Sequence, residues 1–470
     1  MSEPNKAPVE QGRFLTGSTM GHVVRMTMTG AMGITFVFIV DAANLFWISQ
    51  LGDPRLVAAI GFAFAIQYFS VAGGIGLMIA STALVARHIG AGDRPLARRT
   101  ATSAAIIACL FQSLNAALII WFRHDIVAIS GATGETAAFA ARYLAISLPS
   151  LSVMAISMIA NGALRAQGDG ARSMYVTLTS GAVAMVVDPI LIYRLEMGLD
   201  GAAIGLSLSR CVMLFMALRF AIGTHNLLAV PAVADVLATI RPYFVIAFPA
   251  ILTQLATPAG NYLMTTVMAQ FGDDAVAGWA VVGRLTVVAF GGIFSLAGAI
   301  GGIFGQNYGA GQYARLQSTY RDAILFGVLY TVVTWVVLIS ISPVVISGFG
   351  LTPVGADIVY AFAWIGAGGF VFAATLFVSN AAFNALGRPG RSTLTNWLRD
   401  GVMLLPLALL FAGWFGAEGV IYAQAVANFI VGAAAALWGW VYVKSMQAAP
   451  PALDLDPPRP YAHADRFRRR

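Results

Sequence analysis

The run Asn161-Gly162-Ala163-Leu164-Arg165-Ala166-Gln167-Gly168-Asp169-Gly170-Ala171-Arg172-Ser173 returns 219 positions later as Asn380-Ala381-Ala382-Phe383-Asn384-Ala385-Leu386-Gly387-Arg388-Pro389-Gly390-Arg391-Ser392. Asn, two Ala, Gly, Arg and Ser recur in register. The same shift carries Gly90-Ala91-Gly92 onto Gly309-Ala310-Gly311, and nearly the same one carries Leu51-Gly52-Asp53 onto Phe271-Gly272-Asp273. Self-similarity held over most of a chain signals a duplicated architecture. Around this punctuation the sequence is apolar, with runs such as Ala101 to Phe122, Ser173 to Tyr193 and Thr319 to Ile341.

Composition decides what the runs are. The chain has 470 residues, 59% hydrophobic and 10% charged, with mean hydropathy +0.78. A spanning helix needs about 20 apolar residues, and only helices or closed barrels satisfy their backbone in lipid. Strand-length alternation is absent, so the reading is an all-α membrane protein. We place helices at 23–49, 56–84, 99–122, 136–164, 173–194, 201–222, 240–270, 276–304, 319–342, 357–386, 393–412 and 418–443. That makes twelve transmembrane helices in two six-helix lobes. The parts are an N-terminal tail 1–22, an N-lobe 23–222, a linker 223–239, a C-lobe 240–443 and a basic tail 444–470 that ends in Arg466-Phe467-Arg468-Arg469-Arg470. Residues 1–19 lack the apolar core of a signal peptide, so the first helix is expected to direct insertion.

Charge supplies orientation. The net charge is +7, but the charges punctuate apolar runs and offer no nucleic-acid surface. With the N-terminus inside, one face receives Arg87, Arg94, Arg98, Arg99, Arg165, Arg172, Arg315, Arg388, Arg391 and Arg399 among others; the opposite face receives Arg55, Arg123 and Arg194. The positive-inside rule puts both termini in the cytoplasm, in the inner (plasma) membrane. Six helices is an even number, so the lobes form a parallel repeat about an axis along the membrane normal, and such bundles rock around a central site. Cys109 and Cys211 lie inside apolar runs and suggest neither disulfide nor metal site. Lys6 and Lys444 are the only lysines, which excludes a phosphate loop of the Gly-Lys type.

At this point the residues resemble a known family. Gln306-Asn307-Tyr308-Gly309-Ala310-Gly311 followed by Arg315 is similar to the signature after the eighth helix of multidrug and toxic compound extrusion (MATE) transporters. Gly74-Ile75-Gly76 to His88-Ile89-Gly90-Ala91-Gly92-Asp93 resembles its first-half counterpart. Leu164-Arg165-Ala166-Gln167-Gly168-Asp169, Asp188-Pro189 and Gly201-Ala202-Ala203 resemble the family's helix 4 to helix 6 pattern. The resemblance spans about residues 25–443. It implies a twelve-helix antiporter that expels organic cations or drugs in exchange for protons or sodium. Asp188 and Asn161 carry over directly. Three positions depart: Asn44 stands where the family has an Asp, Ala184 where it often has Asn, and Leu206 where many members have Thr.

The chemistry-bearing residues are few. Asp188, deep in helix 5, is a functional hypothesis by default, because a lone carboxylate in lipid is costly; the bland alternative is a helix opened by Pro189. Asp41 is the second proton-coupling candidate, one turn from Asn44, whose amide can donate to a carboxylate; the alternative is an interfacial acid near water. Asn161 and Asn380 hold equivalent places and suit interhelical hydrogen bonds, with Asn161 also able to complete an acid network. Arg210 could pair with Asp188, which would remove that acid from coupling. Arg284 could snorkel, cap a helix end or contact an anionic or zwitterionic substrate. Gln254, Asn261, Asn380 and Asn384 give the second lobe polarity without a central carboxylate, which favours protons over sodium.

The expectation is thus a proton-coupled exporter of a cationic, amphipathic small molecule, touching membrane lipids, with no cofactor, metal or obligate protein partner. A sodium-coupled antiporter and a lipid-linked sugar flippase are the alternatives; Arg210 and Arg284 give the latter a foothold. An intramembrane enzyme lacks a His-Glu-x-x-His or Gly-x-Ser-x-Gly pattern.

Overall fold

The computed structural model describes residues 12–446. The first part of the expected N-terminal tail and the terminal Arg cluster lie outside the described residues. Among the described residues, eleven helices are long and apolar enough to span a membrane, and a helix pair bent by 60° makes a twelfth. In chain order they are α1 (Thr19–Ser49), α2 (Pro54–Gly90), α3 (Arg94–Trp121), α4 (Gly134–Gln167), α5 (Gly170–Arg194), α6 (Gly198–Gly223), α7 (Val233–Ala269), α8 (Asp273–Gly309), α9 (Tyr313–Phe349), α10 (Pro353–Gly366 with Phe370–Ala385), α11 (Pro389–Phe415) and α12 (Glu418–Ser445).

Every apolar run becomes one of these helices, but the ends run further than hydropathy marks. Polar caps explain this. Asp53 accepts from Arg55 N before Pro54 opens α2, Asp93 accepts from Leu96 N ahead of α3, and Asp169 accepts from Arg172 N ahead of α5. Such side chains satisfy orphan backbone donors and extend a helix beyond its apolar stretch. The linker is shorter than expected, because α7 begins at Val233, with Asp235 in its first turn.

The repeat is visible in the backbone. Left-handed glycines recur at the sequence shift: Gly92 (φ 76) with Gly311 (φ 69), Gly168 (φ 93) with Gly387 (φ 87), and Gly131 (φ 95) with Gly350 (φ 59). Each closes the same turn of its lobe, in a conformation that costs other residues roughly 1–2 kcal/mol.

The lobes meet at their arginine-rich ends. Gly90 abuts Gln306, where a Cβ would lie 2.0 Å from the carbonyl oxygen; Gly309 abuts Arg87, where a Cβ would lie 2.0 Å from that oxygen. These contacts are one contact repeated, since 87 and 90 map onto 306 and 309. Arg87 donates to Ala385 O from Nε at 2.9 Å and Nη2 at 2.7 Å, Gln306 donates to Ala166 O at 2.5 Å, and Phe14 N donates to Gln306 Oε1 at 2.9 Å. The first helix of each lobe also crosses over. Val23 and Met26 of α1 pack among C-lobe residues such as Phe304 and Tyr320, and Tyr243 and Ile246 of α7 pack among N-lobe residues such as Leu77 and Ile159. Among the described residues, the hydrogen bonds between lobes reach no further than Ser295 Oγ to Thr27 O. The molecule is sealed at the arginine-rich end and cleft at the other.

Candidate functional site

Asp188 sits near the end of α5, 3% exposed. Pro189 follows it, so the carbonyl one turn back loses its helical donor. The chain then widens into a π-helical turn over Ile190–Arg194, a local form frequent at functional sites. The carboxylate has one hydrogen-bond partner: Asn44 Nδ2 of α1 donates to its Oδ2 at 2.8 Å. Its Oδ1 has none. That oxygen rests against Gly205 of α6, where a Cβ would lie 2.0 Å away. The glycine makes the room.

Arg210 is buried one helix away and does not form the feared pair. Its guanidinium donates to Ser150 Oγ at 2.8 Å, to Ser147 O at 3.2 Å and to Gln67 Oε1 at 3.1 Å. Neutral acceptors hold the cation in place and leave Asp188 free of it. Asp41 is exposed and lies outside the Asn44–Asp188 pair, though within electrostatic reach of Arg210. Tyr143 is fully buried, its hydroxyl without a partner, within electrostatic reach of Asp188, Asp41 and Arg210. Asn161 of α4 is 3% exposed with its Oδ1 unpartnered. The lobe therefore brings Asp188, Asn44, Asp41 and Arg210 into one neighbourhood.

The second lobe holds a surprise. Arg399 and Asp400 are both buried within α11, at 6% and 5% exposure. Arg399 Nε and Nη2 each donate to the Asp400 carboxylate at 2.7 Å. Thr257 of α7 donates to Asp400 Oδ2 at 3.2 Å, and Arg399 Nη1 reaches Asn428 Oδ1 of α12 at 3.5 Å. Two sequence expectations are corrected here: Arg399 does not belong to the basic face, and the second lobe does hold a carboxylate. Neighbours on a regular helix do not face each other; this pair lies in the π-helical turn Leu398–Met403, where the guanidinium folds back on the acid. Gln254 is half-buried on α7, Asn380 is 3% exposed on α10 with its Oδ1 unpartnered, and Arg284 is exposed on α8.

Sequence reasoning missed Tyr143, Gln67, Arg399 and Asp400. A polar side chain inside an apolar run was the available signal for the first two. Adjacent opposite charges, easily taken for a helix end, hid the other two.

Known proteins share this architecture. An outward-facing multidrug resistance MATE family transporter of the MOP superfamily superposes with TM-score 0.87 at 21% identity, covering 94% of this chain and all of that one. A MOP superfamily transporter from Pyrococcus furiosus, described as having a binding pocket of reverse polarity that suggests a different function, gives TM-score 0.85 at 22% identity over 95% of this chain and 100% of its own. Among relatives in sequence, an FAD transporter of Shewanella oneidensis is 25% identical over 431 residues, 89% of this chain and 94% of its own length. The multidrug export protein MepA of Staphylococcus saprophyticus is 23% identical over 440 residues, 90% of this chain and 94% of its own. The MatE family profile matches residues 31–190 and 249–410, one block in each lobe. Together the blocks span more than two thirds of the sequence, and the chain belongs to the MatE family of transporters.

Proposed function

We propose that the chain is a secondary antiporter that exports amphipathic organic cations or drugs in exchange for protons, with Asp188 as the coupling carboxyl. One observation carries the reading. Among the described residues, Asp188 is a buried carboxylate with a single neutral donor, an unpartnered oxygen and no cation within hydrogen-bonding distance. A buried acid inside the membrane of this kind marks a proton relay. Asp400 differs, because Arg399 already neutralises it. Asp41, one turn along α1 and open to the cleft, stands at the entrance to the coupling site. The MepA relatives, named as multidrug exporters, support the cargo class.

With the arginine-rich end in the cytoplasm of a cell's inner membrane, the cleft opens outward. Protons then enter from outside, reach Asp188 past Asp41, and release cargo before the lobes rock.

A second reading concerns the cargo alone. Arg284 is exposed in the second lobe, and one relative is named an FAD transporter. Both favour an anionic aromatic cargo.

The test is transport in proteoliposomes with an imposed pH gradient, a sodium gradient or neither, using a cationic dye and FAD in parallel. Uptake driven by the pH gradient and lost in Asp188→Asn is expected. Full proton-driven uptake in Asp188→Asn would falsify the assignment, and uptake driven only by sodium would replace the ion. Movement of FAD but not dye would select the second cargo.

A further inference from the structure

The two helices that meet across the cleft carry opposite charges at matching sequence distances from a shared contact. α1 and α8 run antiparallel, and their contacts fix a register. A Cβ on Gly30 would lie 3.0 Å from Ser295 Cβ, and one on Gly291 would lie 3.1 Å from Thr35 Oγ1. Ser295 Oγ donates to Thr27 O at 2.9 Å. Asp41 lies eleven residues beyond Gly30, and Arg284 lies eleven residues before Ser295. Eleven residues make three helical turns to within about 20°, a rise of about 16 Å. Asp41 therefore stands above Gly30 on α1, and Arg284 lies the same number of residues along α8 from Ser295, on the outer segment beyond the break at Phe290.

Beyond these contacts the helices separate. α8 breaks at Phe290 (φ −105, ψ 17), one residue above the Gly291–Thr35 contact. Beyond the break its outer part packs within its own lobe, Gly278 against Gly355, where a Cβ would lie 2.8 Å from that backbone. Asp41 and Arg284 are both exposed, and among the described residues neither has a hydrogen bond or an ion pair within 4 Å. One turn lower, Phe38 and Val288 are 38% and 60% exposed.

We propose that Asp41 and Arg284 are the pair that closes the cleft: when the lobes rock to open the arginine-rich end, α1 and α8 come together along the register they already share, and this acid meets this base. In the cleft-open molecule Asp41 is within electrostatic reach of buried Arg210 of its own lobe; on closure it exchanges that partner for Arg284. The pair replaces solvent at the mouth of the cleft and sets a charge that an entering cargo displaces. The inference rests on the chain being a two-lobe transporter that rocks, but on neither the proton nor the cargo.

The experiment uses the full chain with Cys109 and Cys211 changed to alanine, reconstituted in liposomes. A protease site inserted at Val230, between the lobes, separates them unless a cross-link holds. The reporter is Phe38→Cys with Val288→Cys, which leaves both charges intact; Thr35→Cys with Gly291→Cys, already in contact, shows that the oxidant acts. The reporter pair is expected to cross-link. Asp41→Asn or Arg284→Gln should slow it roughly two- to five-fold, the effect of an ordinary exposed ion pair. Exchanging the charges, Asp41→Arg with Arg284→Asp, should restore the rate. A reporter that never cross-links while the control does, a rate indifferent to both neutralisations, or an exchange slower than either single change overturns the pair. Charge-dependent cross-linking without proton-driven uptake would leave the pair standing and remove the antiport reading. Proton-driven uptake without cross-linking would do the reverse.

Discussion

Gly205 determines how Asp188 is held. Any side chain there meets the carboxylate, since even a Cβ would lie 2.0 Å from Oδ1. Gly205→Ala should push the carboxyl away from Asn44 and forfeit a charge-assisted hydrogen bond of about 1.5–3 kcal/mol. The expected result is loss of proton-driven uptake with little change in expression; normal uptake in that variant would show that the nest is only packing. Asp400 obeys a different rule. Its charge is matched by Arg399, so removing one member leaves the other buried and bare. Arg399→Ala should lower stability by about 3–5 kcal/mol, whereas the double apolar replacement Arg399→Met with Asp400→Leu should be nearly neutral. Thermal unfolding in detergent reads both, and equal losses in the two would mean that the pair is not the source of the effect. The two lobes thus hold the same kind of residue under opposite conditions, one acid beside a neutral amide and one paired with a guanidinium.

Both acids sit at a disturbed stretch of the fifth helix of their lobe, α5 at Pro189 and α11 at Leu398–Met403. A widened turn exposes backbone and re-aims side chains, which a straight helix cannot do. The capping acid of α5 shows the contrary case. Burial alone would raise the Asp169 carboxyl, but hydrogen bonds from His225 and Arg172 more than offset it and hold it below the usual carboxylate range. Its folded value lies below its unfolded value of about 3.9, so its contribution is complete above that pH and is lost only as pH falls through the folded value. The stability difference between wild type and Asp169→Asn should shrink in strong acid, as pH falls through the folded value. A difference that stayed constant into strong acid would mean that these hydrogen bonds do not hold the carboxylate. Elements of this kind were partly legible in the sequence. Long apolar runs gave every spanning helix, because lipid demands them. Helix ends were not legible, because Asp53, Asp93 and Asp169 extend helices through polar residues. Asn44 could be read as a donor to some carboxylate, yet its partner became definite only with the crossing of α1 and α5. The Arg399–Asp400 pair was hidden because its partners Thr257 and Asn428 come from α7 and α12.

At the scale of the molecule the duplication itself makes the seal. Gly90 rests on Gln306 and Gly309 on Arg87, so equivalent residues of the two lobes touch around the repeat axis. Such a contact is closed or open as a unit, because two glycines and two carbonyls must approach together. It also allows no side chain at either glycine. Gly90→Ala or Gly309→Ala places a methyl about 2 Å from a backbone carbonyl oxygen, far inside ordinary van der Waals contact of about 3.5–4 Å between carbons. Neither carbonyl is the far end of a flexible side chain, so the lobes must part there. The variants are expected to favour the state open at the arginine-rich end and to stall transport. A cysteine at Ala381, beside the small void between α2, α8 and α10, should then react with a membrane-impermeant maleimide added from that side, where the parent protein is protected. Gly223→Ala, with nothing within 4 Å of its added Cβ, serves as the neutral control. Unchanged labelling and transport in Gly90→Ala would mean that the two lobes close on some other contact, and that the symmetry of the seal reflects descent from a common half rather than the working of the cycle.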